Sequence, residues 1–267
     1  MYEAHRHPIA DITILRSAVQ VPSAVVESGA VVKRYRQVDG FILAGGASSR
    51  MGRDKGLLDF GGVPLILRTA RLLEPLVANV TIVGTPHRYA ALGLRVIADE
   101  AHADGGPEKK GRGPLAGIAA ALGATRSPWN LIVACDLPYL SGEWLDWLLS
   151  RALQSSGEAV VPRTGRGIEP LAAVYRRECA ATISAALARG VRKVSDAIEE
   201  LRLDFVYPRE WRSIDPSGLI LKNMNAPGEY KEALKWWSAE RLSEGEHVKN
   251  PRPGPKRKRR SAPPRRK

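Results

Sequence analysis

Cysteine is scarce in this 267-residue chain: there are two, Cys135 and Cys179, far apart and each set in an apolar stretch. That pattern excludes a secreted disulfide framework and leads us to expect a reducing, cytoplasmic setting. No apolar run approaches the roughly 20 residues that a membrane-spanning helix needs. The N-terminus also lacks a basic region followed by a compact apolar block. A soluble, unexported chain with no membrane partner is the expectation. At 44% hydrophobic content, length and composition suffice for a full core without metal or disulfide staples.

Acidic residues are missing altogether from the C-terminal end. Of the formal net charge of +13, ten positive charges fall from Lys249 onward, on Lys249, Arg252, residues 256–260, Arg265, Arg266 and Lys267, which leaves +3 for everything before. The same segment carries Pro251, Pro253, Pro255, Pro263 and Pro264. With nothing apolar to bury and no freedom to form a helix, it is expected to be disordered. Such a segment suits a weak, salt-dependent nucleic-acid or acidic partner, or is a solvated appendage with none. If the tail were the working part, the chain would be a nucleic-acid-binding or scaffold protein.

Between these ends the pattern divides into an N-terminal extension over residues 1–37, a domain over 38–243 and the tail over 244–267. The extension has scattered Val, Ala and Ile without sustained period. From Val38, apolar strands alternate with amphipathic helices, the mark of an α/β fold with a mainly parallel sheet. Strands are predicted at 40–43, 80–83, 94–97, 131–134, 159–161, 171–175 and 203–207. Helices are predicted at 65–73, 115–122, 142–153, 177–188, 194–201 and 228–240. One long irregular connection runs from Asp99 to Gly113 and reads as a lid or a disordered segment.

The first predicted strand runs into Leu43-Ala44-Gly45-Gly46-Ala47-Ser48-Ser49-Arg50-Met51-Gly52-Arg53-Asp54-Lys55. Gly45 and Gly46 let backbone N–H groups approach a phosphate, and Arg50 and Lys55 supply charge. Two familiar phosphate motifs are absent. Gly52 is followed by Arg53 and Asp54 before Lys55, which breaks the P-loop spacing, and adjacent glycines replace Gly-x-Gly-x-x-Gly. The fourth predicted strand runs into Cys135-Asp136-Leu137-Pro138, presenting an acid at the same rim. A carboxylate there suits Mg2+, although an Asp after a strand is also a common cap or turn former. Asp99 follows the third strand, where it equally suits a solvated loop. No cysteine has a basic partner that would make it a nucleophile.

The stretch LAGGxSxRMGxDK resembles the signature of nucleotidyltransferases that activate sugars and cofactors, and most of all that of the molybdenum cofactor guanylyltransferases. The resemblance implies a three-layer, Rossmann-like nucleotidyltransferase fold with a mainly parallel sheet and helices on both faces. It implies Mg2+ as cofactor, held by Asp136, and GTP bound by Leu43, Ala44, Gly45, Gly46, Lys55, Asp99 and Asp136, with the turn from Gly113 to Gly117 closing on the nucleoside. Arg50, Lys55 and Asp136 become the catalytic set. Glu169, Pro170, Arg192, Lys193 and Asn225 fall on the acceptor side, where molybdopterin would bind. On the residues alone, Arg192 and Lys193 also read as a solvated helix entry, and Asn225 as a cap or turn.

The segment Asn223-Met224-Asn225-Ala226-Pro227 resembles the family's Asn-x-Asn-Thr-Pro, with Ala226 in place of Thr. After the second strand the family often has an Asn, where this chain reads Gly84-Thr85-Pro86-His87, so Thr85 is the candidate substitute and His87 a surface residue. The expected reaction is attack of the molybdopterin phosphate on the α-phosphorus of GTP, with release of pyrophosphate. The alternatives are CTP on the same acceptor, or GTP on a cobinamide or similar phosphate; Gly46, the second glycine after Leu43-Ala44, favours guanine. A chain ending at Asn250 is expected to keep its nucleotide-dependent turnover, and loss of all function in a truncated protein that never binds GTP would favour the tail instead.

Overall fold

The computed structural model describes residues 35–44, 54–99 and 113–249, with side chains described through residue 238. Gly45, Gly46 and Arg50, most of the N-terminal extension, the connection after Asp99 and the tail from Asn250 lie outside the described residues. Eight strands form one sheet: β1 (Val38–Ala44), β2 (Val80–Gly84), β3 (Arg95–Ile97), β4 (Trp129–Ala134), β5 (Ala159–Thr164), β6 (Gly167–Ile168), β7 (Ala172–Arg176) and β8 (Leu203–Val206). The helices are α1 (Leu65–Leu73), α2 (Pro86–Tyr89), α3 (Pro114–Gly123), α4 (Gly142–Leu153), α5 (Cys179–Ala188), α6 (Val194–Ile198) and α7 (Pro227–Lys249). All seven predicted strands and six predicted helices form.

Helix α2 and the short strand β6 were not anticipated, because four- and two-residue elements are too brief to show a period. Helix α7 runs through Lys249, past both Glu240 and the boundary drawn at residue 243. Among the described residues no helix is long and apolar enough to cross a membrane.

The sheet order is β3-β2-β1-β4-β7-β5-β6, with β8 paired to β5. β3, β2, β1 and β4 are parallel, and β7 is antiparallel to both β4 and β5. Alternate side chains of each central strand enter opposite cores. Ile42 and Ala44 of β1 and Leu131 and Val133 of β4 pack with α1 and α4 on one face. Phe41, Leu43 and Ile132 pack with α3, α5 and α6 on the other. Burial on both faces is why these strands read as continuous apolar runs rather than alternating ones.

The chain steps outward from β1 to β2 and β3, then returns to the other side of β1 to form β4. That reversal makes a crevice beyond the carboxyl ends of β1 and β4, the place where open α/β sheets bind ligands. Leu43 and Ala134 are register partners there. Because β7 runs against β4, its beginning meets the end of β4, and Ala134 N donates to Leu171 O at 2.7 Å. The segment Glu169-Pro170-Leu171 is therefore delivered to the same rim.

Candidate active site

Three chain segments converge at the crevice on one ammonium group. Lys55 opens a 3-10 turn (Lys55–Leu57) after the glycine-rich stretch; its Nζ lies 3.0 Å from Asp136 Oδ2 and donates to Asn225 Oδ1 at 2.7 Å. The side chains of Lys55 and Asp136 are each 18% exposed, so the pair sits at the mouth of the site and not in the core. Asp136 follows β4, and its main-chain oxygen accepts from Met224 N at 2.9 Å, which joins the Asn223–Pro227 segment to the strand end. A third apolar cluster backs all three segments: Leu58, Phe60 and Leu65 come from the Lys55 side, Tyr139 follows Asp136, and Met224 and Ala233 bracket the start of α7. Tyr139 stacks edge-on against Trp236, and Phe60 against Tyr230.

Asn225 does not cap α7 with its side chain, as one reading of the sequence allowed; its amide oxygen is turned to Lys55. The cap is made by Glu229, whose carboxylate accepts from the backbone N–H groups of Asn225 and Ala226. These two bonds hold the Glu229 carboxyl below its ordinary range, helped by Lys222 and Lys55. This is half of a capping box. Its other half needs a hydroxyl at the residue before the helix, and Ala226 has none. The pattern of an acid three residues after that position was visible in the sequence, but without Ser or Thr it gave an incomplete signal.

Beside the triad lies a cleft of about 430 Å3 whose walls include Glu169, Pro170, Arg192 and Lys193, together with Ser195 and Asn223. Four of the five acceptor-side candidates thus share one concavity, and the fifth, Asn225, is bound to Lys55. Arg192 and Lys193 are exposed, and the first described residue beyond the long connection, Gly113, stands at φ 79°, a left-handed conformation that glycine adopts without strain. Glu169 is held by Thr164 Oγ1 at 3.1 Å and by Arg166 at 3.3 Å. Ser195 was not singled out, since it carries neither charge nor an informative spacing, and Asn223, which opens the Asn223–Pro227 motif, was not assigned to the acceptor side.

Leu43 and Ala44 are buried at the end of β1, so only their backbone faces the rim, and the Leu43 carbonyl already accepts from Cys135 N at 3.1 Å. Asp99 follows β3, two strands from β1, roughly 10 Å across the sheet at the usual strand spacing. Thr85 is buried at the end of β2, while His87 is exposed on α2 as expected. Burial raises both thiols, that of Cys179 to about 12 and that of Cys135 further, so neither ionises near neutrality.

The model for the MobA-like NTP transferase domain matches residues 40–202, a span that holds Lys55, Asp136, strands β2 to β7 and most of β1, and ends just before β8. This chain belongs to that family. It is 35% identical over 199 residues to a probable molybdenum cofactor guanylyltransferase of Pelotomaculum thermopropionicum, covering 74% of this chain and 92% of the relative. It is 34% identical over 189 residues to the molybdenum cofactor guanylyltransferase of Pseudomonas aeruginosa, covering 70% and 89%. Among solved structures, molybdopterin-guanine dinucleotide biosynthesis protein A from Archaeoglobus fulgidus superposes with a TM-score of 0.64 at 24% identity, over 75% of this chain and 99% of that one, a likeness of fold. The chain is a nucleotidyltransferase with the Rossmann-like sheet of its family.

Two outcomes follow from the half-built cap. Ala226→Thr is expected to complete the box and raise unfolding free energy by about 0.5–1 kcal/mol, read by urea denaturation. Because the Glu229 carboxyl is lowered on folding, its contribution is present above the ordinary carboxylate value of 4.5 and is lost as pH falls through the lowered one. The melting-temperature gap between the wild type and Glu229→Gln is therefore expected to be constant from neutrality down to that value, and to close only in stronger acid.

Proposed function

We propose that this nucleotidyltransferase transfers GMP from GTP to the terminal phosphate of molybdopterin in the cytoplasm, releasing pyrophosphate and forming the guanine dinucleotide of the molybdenum cofactor. The observation that carries the reading is the meeting of Lys55, Asp136 and Asn225 at the crevice between β1 and β4, beside the cleft that holds Glu169, Arg192 and Lys193. The names of the relatives, molybdenum cofactor guanylyltransferases, support the choice of nucleotide and acceptor. So does the Leu-Ala-Gly-Gly start of the phosphate loop.

An ammonium has three donors. Two of those on Lys55 are engaged by Asp136 and Asn225, which leaves the third for a triphosphate oxygen. Asp136 gives one oxygen to Lys55, and its other oxygen is the donor available to a cation. No group of three His, Cys, Asp or Glu side chains that could hold a metal occurs among the described residues. A single carboxylate at an open rim fits Mg2+, which keeps water and phosphate oxygens in most of its shell and seldom uses an all-protein cage. Bound at Asp136, Mg2+ would neutralise phosphate charge and help orient the α-phosphorus.

The rest of the chemistry falls to position and charge. Lys55, with Arg50 from the glycine-rich stretch, binds the triphosphate and meets charge as it develops on the leaving pyrophosphate. Gly45 and Gly46 offer backbone N–H groups, and Asp99 meets the nucleoside. Arg192 and Lys193 grip the acceptor phosphate, with Glu169, Pro170 and Asn225 lining its path. The attacking phosphate is already an anion, so no general base is required, and the two high-pKa thiols take no part.

Pyrophosphate release measured with GTP, CTP, ATP and UTP, each with and without molybdopterin, is expected to require GTP and molybdopterin together. Turnover with CTP alone would overturn the choice of base. Lys55→Ala is expected to lower kcat by on the order of a hundredfold while leaving the denaturation midpoint close to that of the wild type; unchanged kinetics would remove Lys55 from the mechanism.

A further inference from the structure

The glycine-rich stretch follows β1, which ends at Ala44, and Asp54, the cap of the 3-10 turn, is the first residue described beyond it; one aromatic side chain from outside the motif packs at both places. Tyr89, the last residue of α2, is 1% exposed, and its hydroxyl donates to Asp54 Oδ2 at 2.6 Å. Its ring edge also packs on Gly84 at the end of β2: a Cβ there would lie 3.0 Å from the ring and 2.1 Å from the Ala44 carbonyl oxygen. Only glycine allows the ends of β1 and β2 to press together at that point, and the Tyr89 ring fills the space beside them.

Asp54 passes this anchorage on to Lys55. Its Oδ1 accepts from Gly56 N at 3.0 Å, capping the 3-10 turn on which Lys55 is the first residue, and Arg88 lies 3.7 Å from its Oδ2. The direction in which the Lys55 side chain leaves the backbone is thus set by a carboxylate pinned from two sides.

We propose that Tyr89 is a positioning residue for nucleotidyl transfer: through Asp54 it fixes the turn that aims the Lys55 ammonium at Asp136 and Asn225. The proposal rests on the reading of Lys55 as the group that meets the triphosphate. Burial, followed by the bond and the charge of Asp54, pushes the phenol far above its ordinary range, so it stays a donor at every assay pH. Nothing in the motif signature points to Tyr89. It lies two residues past the Gly84-Thr85-Pro86-His87 departure from the family pattern, and it reaches the Lys55 turn through the Asp54 carboxylate.

The test is Tyr89→Phe, which keeps the ring against Gly84 and removes only the hydroxyl. We expect kcat/KM for GTP to fall by on the order of tenfold, the size of losing one hydrogen bond to a charged group, with most of the loss in kcat. In the nucleotide-free protein, acylation of Lys55 by an N-hydroxysuccinimide ester, followed by mass spectrometry, is expected to speed up several-fold as the ammonium leaves its two partners. A purely structural role would lower the melting temperature and leave the Lys55 acylation rate alone. Adding Asp54→Asn is expected to cost no more than the worse single change, because both disrupt one contact. Wild-type kcat/KM together with a wild-type acylation rate in Tyr89→Phe would overturn the proposal. Should that variant not fold, Asp54→Asn carries the same two readouts. If the wild type itself shows no GTP turnover, the functional reading falls, and the acylation comparison still decides the role of Tyr89.

Discussion

The Lys55 ammonium joins three parts of the chain that are distant in sequence: the turn after the glycine-rich stretch, the end of β4 and the approach to α7. Such a contact adds little to stability. An exposed ion pair is worth about 0–1 kcal/mol, and desolvation takes back most of what a buried pair gains. The pair is held together by what lies behind it. Phe60, Leu65 and Met224 are buried in the cluster that backs the three segments, and each such side chain contributes about 1.5–3 kcal/mol on burial. The apolar staple therefore supplies the energy, and the polar triad uses the resulting rigidity to hold a charge at the rim of the crevice.

The same logic explains why the site lies on the sheet rim and not within either main core. Strands β1 and β4 are buried on both faces, so they bring Leu43 and Ala134 into fixed register with no freedom to slide. The residues that follow them emerge from the most rigid part of the molecule into a crevice created by the chain's reversal. Rigid strands and short, capped turns together set the position of Lys55 against Asp136, which is what charge-stabilising catalysis requires.

The antiparallel strand β7 adds the second half of the site. Had β7 run parallel to β4, its beginning would lie at the far end of the sheet, and Glu169 and Pro170 with it. Reversal places them against Ala134, where they share a cleft with Arg192 and Lys193 from the entry to α6. One concavity then carries both signs of charge beside the Lys55 triad.

By itself, the sequence determined the α/β class and the order of the long elements, and it named Lys55 and Asp136, which the fold brings together, because hydrophobic period and a dense local motif are properties of neighbouring residues. The cleft candidates Glu169, Arg192 and Lys193 were named from resemblance, while their meeting in one wall depends on strand direction, which no local pattern carries. The partners of Lys55, the reversal of β7, the half-built cap by Glu229 and the contact between Tyr89 and Asp54 were decided only by tertiary structure. Each joins residues through space across intervening chain, and short elements such as α2 owe their form to the packing around them and not to any period of their own.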